Sequence, residues 1–507
     1  MGRPLPRYDT LHHAIAPADQ VLIVAFVRMA GESRPWAIAW GAPGAAPSIA
    51  SVPDGRVRDD VAGLCAAFAG DLIAHLSAGG PHLDPATTAP DPMALHQVWL
   101  PNGQHIAMLH QVGYTYSQTR FGGANRDLLR AFGRIAGWMF RDTSRVGNQH
   151  IVDASALLTA SYVVPAQRVR TAHLGYVLGW LTTDGDREAR LAAAMAAERL
   201  TVSPTMDPAT EREPLAGLVD RWNDARRADG NPAAAAAQIA TVLDGEVRRR
   251  WRLAEQAYLV LTADDRPVNE GVTALVTESQ REFWYQYLRI EQRHADPDQG
   301  PAFIAHPETD FHGSSAASRY LIHEAADEGY IGHLIHHDHA LFQEALDDGR
   351  AFQAQVLGVD DAGTGRSTAP RWVLRLDPTL PHRLRETTRV APLGSRGHEA
   401  IVLVLNASAD DLLVTIEWTA RKTKPLLGPL QALPMDHMWL GMTVRFVLAD
   451  AAALTLRRSR RVWSAAAGPG AWLTHGAPTA PIEITGDDDR VDLVLDDIVQ
   501  IADGVEV

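Results

Sequence analysis

Runs of apolar residues predict a short series of strands at the start of the chain. QVLIVAFVRM, at residues 20–29, is apolar almost throughout, and PWAIAWG and PSIASVPDG follow it after turn-forming residues. Residues 61–76 then carry apolar positions at helical spacing, and HQVWLPNG at 96–103 supplies a fourth strand, followed by two helical segments. The pattern predicts an α/β domain over residues 1–164.

Helical spacing dominates the middle of the chain, from residue 165 to residue 349. Segments rich in Ala and Arg, such as DREARLAAAMAAERL and NPAAAAAQIATVLDGEVRRRWRLAEQAYLVL, are separated by Pro, Gly and Asp. No repeat of fixed length is visible, so the pattern does not indicate a solenoid. We expect a helical domain over 165–349.

Alternation with a period of two begins near residue 350. RAFQAQVLGVDD, RWVLRLD, EAIVLVLN, DLLVTIEWTA and TVRFVLAD are bounded by turn residues and spaced as the strands of small barrels are. The sequence therefore predicts a β-barrel-like domain over 350–480, followed by an acidic tail at 481–507. The predicted fold class is a multidomain α+β protein.

Charge is distributed unevenly in a chain whose formal net charge is −14. Residues 350–480 hold 16 basic residues against 10 acidic ones, whereas residues 481–507 hold 1 against 9. The predicted barrel is thus a basic module in an acidic protein. Because VDLVLDDIVQI in the tail alternates like a strand, we expect the tail to dock on the oppositely charged barrel.

The densest cationic segment, LTLRRSRRVW, lies close to two tryptophans. Guanidinium groups hold phosphates while indole faces stack on bases, so this composition suits nucleic-acid binding. Contact with a protein partner fits the same residues equally well. The candidate binding residues are Arg457, Arg458, Arg460, Arg461, Trp463, Trp472, Arg421 and Lys422.

The choice of cation excludes several functions. Of the 47 basic residues only Lys422 and Lys424 are lysines, and neither stands in a P-loop context. Schiff-base chemistry and kinase-type phosphate anchoring would have to use the same two residues, which look like the solvated end of a strand. We expect no cofactor, and the chain is not by itself an ATP motor.

The segment GYIGHLIHHDHALF has the appearance of a metal site. On a helical wheel, His333, His336 and His337 lie opposite the apolar stripe, and the first and third have the i, i+4 spacing that can chelate a divalent ion. The preceding HEAAD places Asp327 where a zincin motif has its second histidine. A solvated polar face is favoured and no metal is predicted; the alternative is a metal-dependent hydrolase using these three histidines.

Two further groups of residues have structural explanations. The order of three strands, a helix and a strand is RNase H-like, but the first strand lacks the acids that hold divalent cations in such enzymes. Asp54, Asp59 and Asp60 fit a turn and a helix start. Cys65, the only cysteine, lies among apolar helix positions and is expected to be a core residue. The N-terminal sequence contains no long apolar run, and a cytoplasmic location is expected.

The arrangement resembles the region that precedes the motor in some large bacterial superfamily 1 DNA/RNA helicases. The resemblance lies in HQVWLPNGQHIAML of the α/β segment, the helical middle, and GRAFQAQVLGV and RWVLRL of the barrel. The ATPase motifs are absent, so motor activity does not carry over. The resemblance implies an accessory role in DNA metabolism or bacterial defence, beside a separately encoded helicase or ATPase. A role without enzymatic activity is favoured.

Overall fold

A computed structural model describes the chain at residues 4–30, 32–78, 96–117, 123–143, 148–165, 168–228, 230–272, 331–332, 334–362, 369–394, 398–408, 411–418 and 439–448. The chain divides into two compact units, residues 1–307 and 308–507. The predicted boundary after residue 164 falls inside the first unit, and the one after residue 349 falls inside the second.

The first unit is built on a five-stranded mixed sheet. Its strand order is β3-β2-β1-β4-β5; β1 and β3 are antiparallel to β2, whereas β4 is parallel to both β1 and β5. The predicted α/β layer is confirmed, although β5 was not predicted. The strands are β1 Val21–Val27, β2 Ala37–Gly41, β3 Ser48–Ser51, β4 Gln97–Leu100 and β5 Ile151–Asp153.

Strand β1 lies in the middle of this sheet and is buried on both faces. Leu22, Val24 and Phe26 belong to one apolar core, and Ile23 and Ala25 belong to the other. Successive side chains of a strand point to opposite faces, so a strand covered on both sides needs apolar residues at every position. Burial on both faces therefore explains the uninterrupted apolar run in the sequence of β1.

Helices cover both faces of the sheet. Helices α1 to α3 pack on the face of Phe26, and α4, α6, α7, α9 and α10 share the core of Ile23. The helices beyond residue 165 therefore complete the core of the sheet. The helices are α1 Arg58–Ala78, α2 Gly103–Ser117, α3 Arg126–Asp142, α4 Ala154–Ser161, α5 Arg168–Thr171, α6 Leu174–Thr182, α7 Arg187–Glu198, α8 Pro208–Thr210, α9 Gly217–Arg227 and α10 Ala233–Thr262.

Helix α10 is fastened to the sheet by buried hydrogen bonds. The indole of Trp251 donates to the carbonyl oxygen of Ile23 at 3.0 Å, and the hydroxyl of Tyr258 donates to that of Ala16 at 3.0 Å. Arg250 is fully buried and donates to the carbonyl oxygen of Ser203 at 2.7 Å. Arg250, at the centre of the basic stretch RRRWR, is thus a buried structural residue.

The second unit contains a closed six-stranded barrel, which confirms the predicted β-barrel. The order around it is β10-β7-β6-β11-β8-β9, and every neighbouring pair is antiparallel. Five strands match the alternating segments of the sequence, and β8 was not predicted. The strands are β6 Ala351–Asp361, β7 Pro370–Leu376, β8 Arg389–Pro392, β9 Ala400–Ala407, β10 Leu412–Trp418 and β11 Thr443–Leu448.

A helix that precedes the barrel packs on it. Helix α11, His339–Asp347, buries Phe342 and Ala345 in one cluster with Ala351 and Val447 of the barrel strands. The barrel unit therefore begins before residue 350. Among the described residues, no helix combines the length and the apolar character that crossing a membrane requires.

Candidate functional site

Three tryptophans meet at one end of the barrel, which we call the tryptophan end. Trp372 begins the buried part of β7, Trp418 ends β10, and Trp439 precedes β11. The ring centroid of Trp372 lies 5.0 Å from that of Trp418 and 5.6 Å from that of Trp439. Edge-to-face and tilted ring pairs of this kind stabilise a core by about 0.5–1.5 kcal/mol each beyond their area burial.

Two of these indoles have an unused donor. Trp418 is 7% exposed and Trp439 is 9% exposed, and neither Nε1–H meets an acceptor in the part of the chain that the structure describes. Buried N–H groups are nearly always hydrogen-bonded, because an unsatisfied one costs about 1–3 kcal/mol. Both donors are themselves buried and unsatisfied within the described residues, so an acceptor from a further group could reach them only after the residues around them move.

The residues predicted to bind nucleic acid all lie outside the described residues. Arg421 and Lys422 follow Trp418 by three and four positions in the sequence, directly after the tryptophan end. The remaining six follow Leu448, the last residue of β11, and the tail at 481–507 also lies outside. Those six are Arg457, Arg458, Arg460, Arg461, Trp463 and Trp472.

The described part of the barrel is electrically balanced. It holds seven arginines and seven acidic residues, so the whole net positive charge of residues 350–480 comes from positions outside the described residues. The arginines are Arg350, Arg371, Arg375, Arg383, Arg385, Arg389 and Arg445, and the acids are Asp360, Asp361, Asp377, Glu386, Glu399, Asp411 and Glu417.

Ion pairs occupy several of these arginines. Arg371 on β7 pairs with Glu417 on β10 at 2.7 Å, and Arg375 pairs with Asp411 at 3.2 Å. Such half-exposed pairs contribute only about 0–1 kcal/mol each, yet they neutralise the strands on which they lie. The described part of the barrel is thus neutral overall, and the surplus of cationic residues lies in the sequence between and after the described segments.

The histidine segment is not one continuous helix. Leu334 and Ile335 are buried, as the apolar stripe predicts, but Asp338 has an extended backbone and accepts hydrogen bonds from the amides of Ala340 and Leu341, so that α11 starts afresh after it. A single helical wheel across this segment is therefore wrong, because a capping aspartate breaks it.

The histidines themselves are half-buried rather than freely exposed. The Nδ1 of His336 accepts a hydrogen bond from the amide of Gly394 at 3.2 Å, which commits one of its lone pairs to the protein. His337 is half-buried as well, and His333 lies outside the described residues. Within the described ranges, no group of three or more His, Cys, Asp or Glu side chains is arranged to hold a metal ion.

The carboxyl edge of the parallel strands, where α/β proteins usually bind ligands, is filled by hydrogen-bonded side chains. His105 is fully buried; its Nε2–H donates to the carbonyl oxygen of Val202 at 3.0 Å, and its Nδ1 accepts from the amide of Phe26 at 3.1 Å. Burial lowers the pKa of His105 to about 3, so the ring is neutral at physiological pH. Asn102, just after β4, donates to the carbonyl oxygen of Ala172 at 3.2 Å.

The acidic residues near this sheet serve local structure. Asp153, at the end of β5, caps α4 by accepting from the amide of Ala156 at 2.9 Å, and burial raises the pKa of its carboxyl group. Asp54 accepts from the amide of Arg56 at 2.9 Å, which makes the predicted turn, and Asp59 and Asp60 lie in the first turn of α1 as expected. These carboxylates hold turns and helix ends.

The tryptophan end was not predicted from the sequence. Trp372, Trp418 and Trp439 are separated by tens of residues, and each looks like an ordinary apolar strand residue. The available signal was their position, since each stands at a boundary of an alternating segment. A closed barrel brings such boundaries together at one end.

Comparisons with known proteins found no match of any kind: no protein-family model matches the chain, and no curated protein or solved structure does.

Proposed function

We propose that this chain is a non-enzymatic accessory protein that binds nucleic acid through its barrel. The observation that carries the proposal is the tryptophan end, where Trp418 and Trp439 keep two indole N–H groups without an acceptor in the described residues. Arg421 and Lys422 follow Trp418 by three and four positions in the sequence. Cations close to aromatic residues suit a phosphate backbone and its bases.

The charge pattern of the barrel supports the same function. The described part of the barrel is neutral, and the surplus of cations belongs to segments outside the described residues. Segments of this composition can contact a nucleic-acid strand beside the barrel. Arginine, the dominant cation here, also suits the bidentate recognition of phosphate.

The sheet of the first unit supports a non-catalytic role. We infer that the sheet is RNase H-like, because three antiparallel strands are followed by two parallel ones in the order β3-β2-β1-β4-β5. Strand β1 carries no acid, and Asn102 and His105 after β4 are fully engaged in hydrogen bonds. A two-metal nuclease needs carboxylates at such positions. The sheet thus serves as a scaffold.

A second candidate function is contact with a separately encoded helicase or ATPase. Leu357, Leu440 and Met442 are exposed apolar residues of the barrel unit. They are held close to one another, because the amide of Gly441 donates to the carbonyl oxygen of Val356 at 2.8 Å and the amide of Val356 donates to that of Met442 at 2.9 Å. An exposed apolar group of this kind suits a protein partner.

Fluorescence anisotropy with labelled single- and double-stranded DNA and RNA tests the first function. The full-length chain should bind at about 50 mM salt and lose affinity steeply by about 200 mM, because bound phosphates release counterions. The double variant Arg421→Ala/Lys422→Ala should lower the salt dependence of single-strand binding by roughly 0.7 for each phosphate that is no longer neutralised. The Trp418→Phe variant keeps an aromatic side chain but loses the indole N–H and one of the two fused rings, and we expect it to weaken single-strand binding.

A matched control separates binding from general charge. Arg375→Ala removes an arginine from the same barrel, but one that is already paired with Asp411. We expect this variant to bind like the wild type. Absence of binding to every nucleic acid at low salt would disprove the first function. Capture of an ATPase that is abolished by Leu440→Asp, without nucleic-acid binding, would favour the second.

A further inference from the structure

The first unit contains a basic stretch that its overall charge conceals. Residues 101–150 hold six arginines and two aspartates, a local excess of four positive charges, whereas residues 1–349 together have twelve more acidic than basic residues. This stretch includes α2 and α3, and α2 contains no Asp, Glu, Lys or Arg. Such segregation of charge typically marks a surface for an anionic partner.

Helices α2 and α3 pack so closely that their outer faces form one continuous surface. A Cβ placed on Gly133 would lie 2.4 Å from the amide nitrogen of Ser117, and one placed on Gly113 would lie 2.4 Å from the Cβ of Ala136. The two helices therefore meet through backbone at these glycines and run antiparallel. Side chains that project from either helix on the solvent side become neighbours.

Aromatic rings line one end of this surface. His110 on α2 stacks on Phe140 of α3, with ring centroids 4.1 Å apart and ring planes 9° from parallel. Tyr114, one turn after His110, is 71% exposed. A tyrosine ring that is so exposed contributes little to the core, so core packing does not explain why a tyrosine stands at this position. It is available for stacking.

Two arginines line the other end, one turn apart on α3. The side chain of Arg126 is 52% exposed, and its only ion pair within the described residues is a 3.6 Å contact with its exposed neighbour Asp127. Arg130 is half-buried: its Nε is buried and meets no hydrogen-bond acceptor among the residues that the structure describes, so a ligand would have to contact the terminal nitrogens of its guanidinium group. A cation in the first turn of a helix interacts unfavourably with the helix dipole, so Arg126 does not stabilise α3.

Arg126, Arg130 and Phe140 lie along one side of α3. At 100° per residue, Phe140 is within about 80° of Arg126 and Arg130 on α3. At a rise of 1.5 Å per residue, Arg126 and Phe140 are about 20 Å apart along the axis. That length suits a few nucleotides of an extended strand, with phosphates at one end and a base at the other.

We propose that this α2–α3 surface binds single-stranded nucleic acid, with Arg126 and Arg130 holding phosphates and Tyr114 stacking on an unpaired base beside the His110–Phe140 pair. The site goes beyond the proposed function of the barrel, because it lies in the other unit and uses different residues. Single strands are favoured over duplexes, since only an unpaired base presents its face to a tyrosine ring.

Anisotropy titrations of the full-length chain against labelled oligothymidine and a duplex of equal length test the proposal. Arg126→Gln/Arg130→Gln should weaken single-strand binding about tenfold at low salt and reduce the salt slope by roughly 1.4, since each phosphate contact accounts for about 0.7. Tyr114→Ala should weaken it about tenfold with an unchanged salt slope, and Tyr114→Phe should bind like the wild type.

The control is Arg227→Gln, which removes an arginine with a 78% exposed side chain, against 52% for Arg126, from α9 on the opposite face of the sheet. We expect no change in this control. The proposal is overturned if the variants on α2 and α3 bind like the wild type, if the control loses as much affinity as they do, or if duplex binding falls more than single-strand binding. A loss of affinity in the Arg421→Ala/Lys422→Ala barrel variant alone would support the barrel function and refute this one.

Discussion

The contact between α2 and α3 gives a sharp prediction about a single methyl group. In Gly133→Ala the new Cβ would lie 2.4 Å from the amide nitrogen of Ser117 and 2.5 Å from the carbonyl oxygen of Gly113. Both are backbone atoms within helices and cannot rotate away. Ordinary contact begins at 3.4 Å, so the helices would have to separate by about 1 Å.

The magnitude follows from two opposing effects. Forcing an extra methyl group into a packed interface costs about 1–3 kcal/mol or more, and here it also loosens the core around Phe132 beneath the helices. Replacing glycine by alanine within a helix returns about 1 kcal/mol of helix propensity. Because the clash involves backbone on both helices, the upper part of the range applies, and we expect a net destabilisation of about 2 kcal/mol.

Urea unfolding followed by circular dichroism measures this destabilisation, and hydrogen exchange of α2 and α3 assigns it to the helix pair. With a slope of about 3 kcal/mol/M, the midpoint should fall by about 0.7 M. Gly70→Ala is the matched control, because a Cβ at Gly70 in α1 meets nothing within 4 Å. That variant should gain about 0.5–1 kcal/mol. Equal stabilisation by both substitutions would refute backbone contact at Gly133.

Two further predictions concern buried titratable groups. Burial lowers the pKa of His105 from 6.5 to about 3, so between these values the unfolded chain binds a proton that the native chain does not, and stability should fall as the pH falls. His105→Gln should therefore flatten the pH dependence of the urea midpoint between about pH 7 and pH 4, and an unchanged dependence would contradict the assignment. Burial raises the pKa of Cys65 to about 12, so a maleimide should label the thiol only after unfolding; rapid labelling of the native chain would show that Cys65 is accessible.

The elements with a clear period were predictable from the sequence. Strand β1 was evident from its apolar run, and five of the barrel strands were evident from alternation. Strand β5 was missed because it has only 3 residues, and strand β8, RVAP, because it does not alternate and ends in proline. Their positions depend on neighbouring strands rather than on their own sequence.

Long-range packing was not predictable in the same way. Helix α10 has an amphipathic sequence that fits a separate helical domain, yet its Trp251 donates to the backbone of β1. The helical periodicity indicates which face is buried and not what covers it. The tryptophan end was unpredictable for the same reason: long-range packing creates it, since Trp372, Trp418 and Trp439 become neighbours only when the barrel closes.

The order of strands in the barrel also has a consequence for protein synthesis. Strand β11 is the last of the six in the sequence, and it lies between β6, the first, and β8, the third. Until Leu448 has left the ribosome, β6 and β8 each present an unpaired edge, which is the kind of edge through which nascent chains associate with one another. The barrel unit is therefore exposed to misassembly during most of its own translation, whereas all five strands of the first unit have been made by residue 153. A chain truncated before Thr443 would keep both open edges permanently.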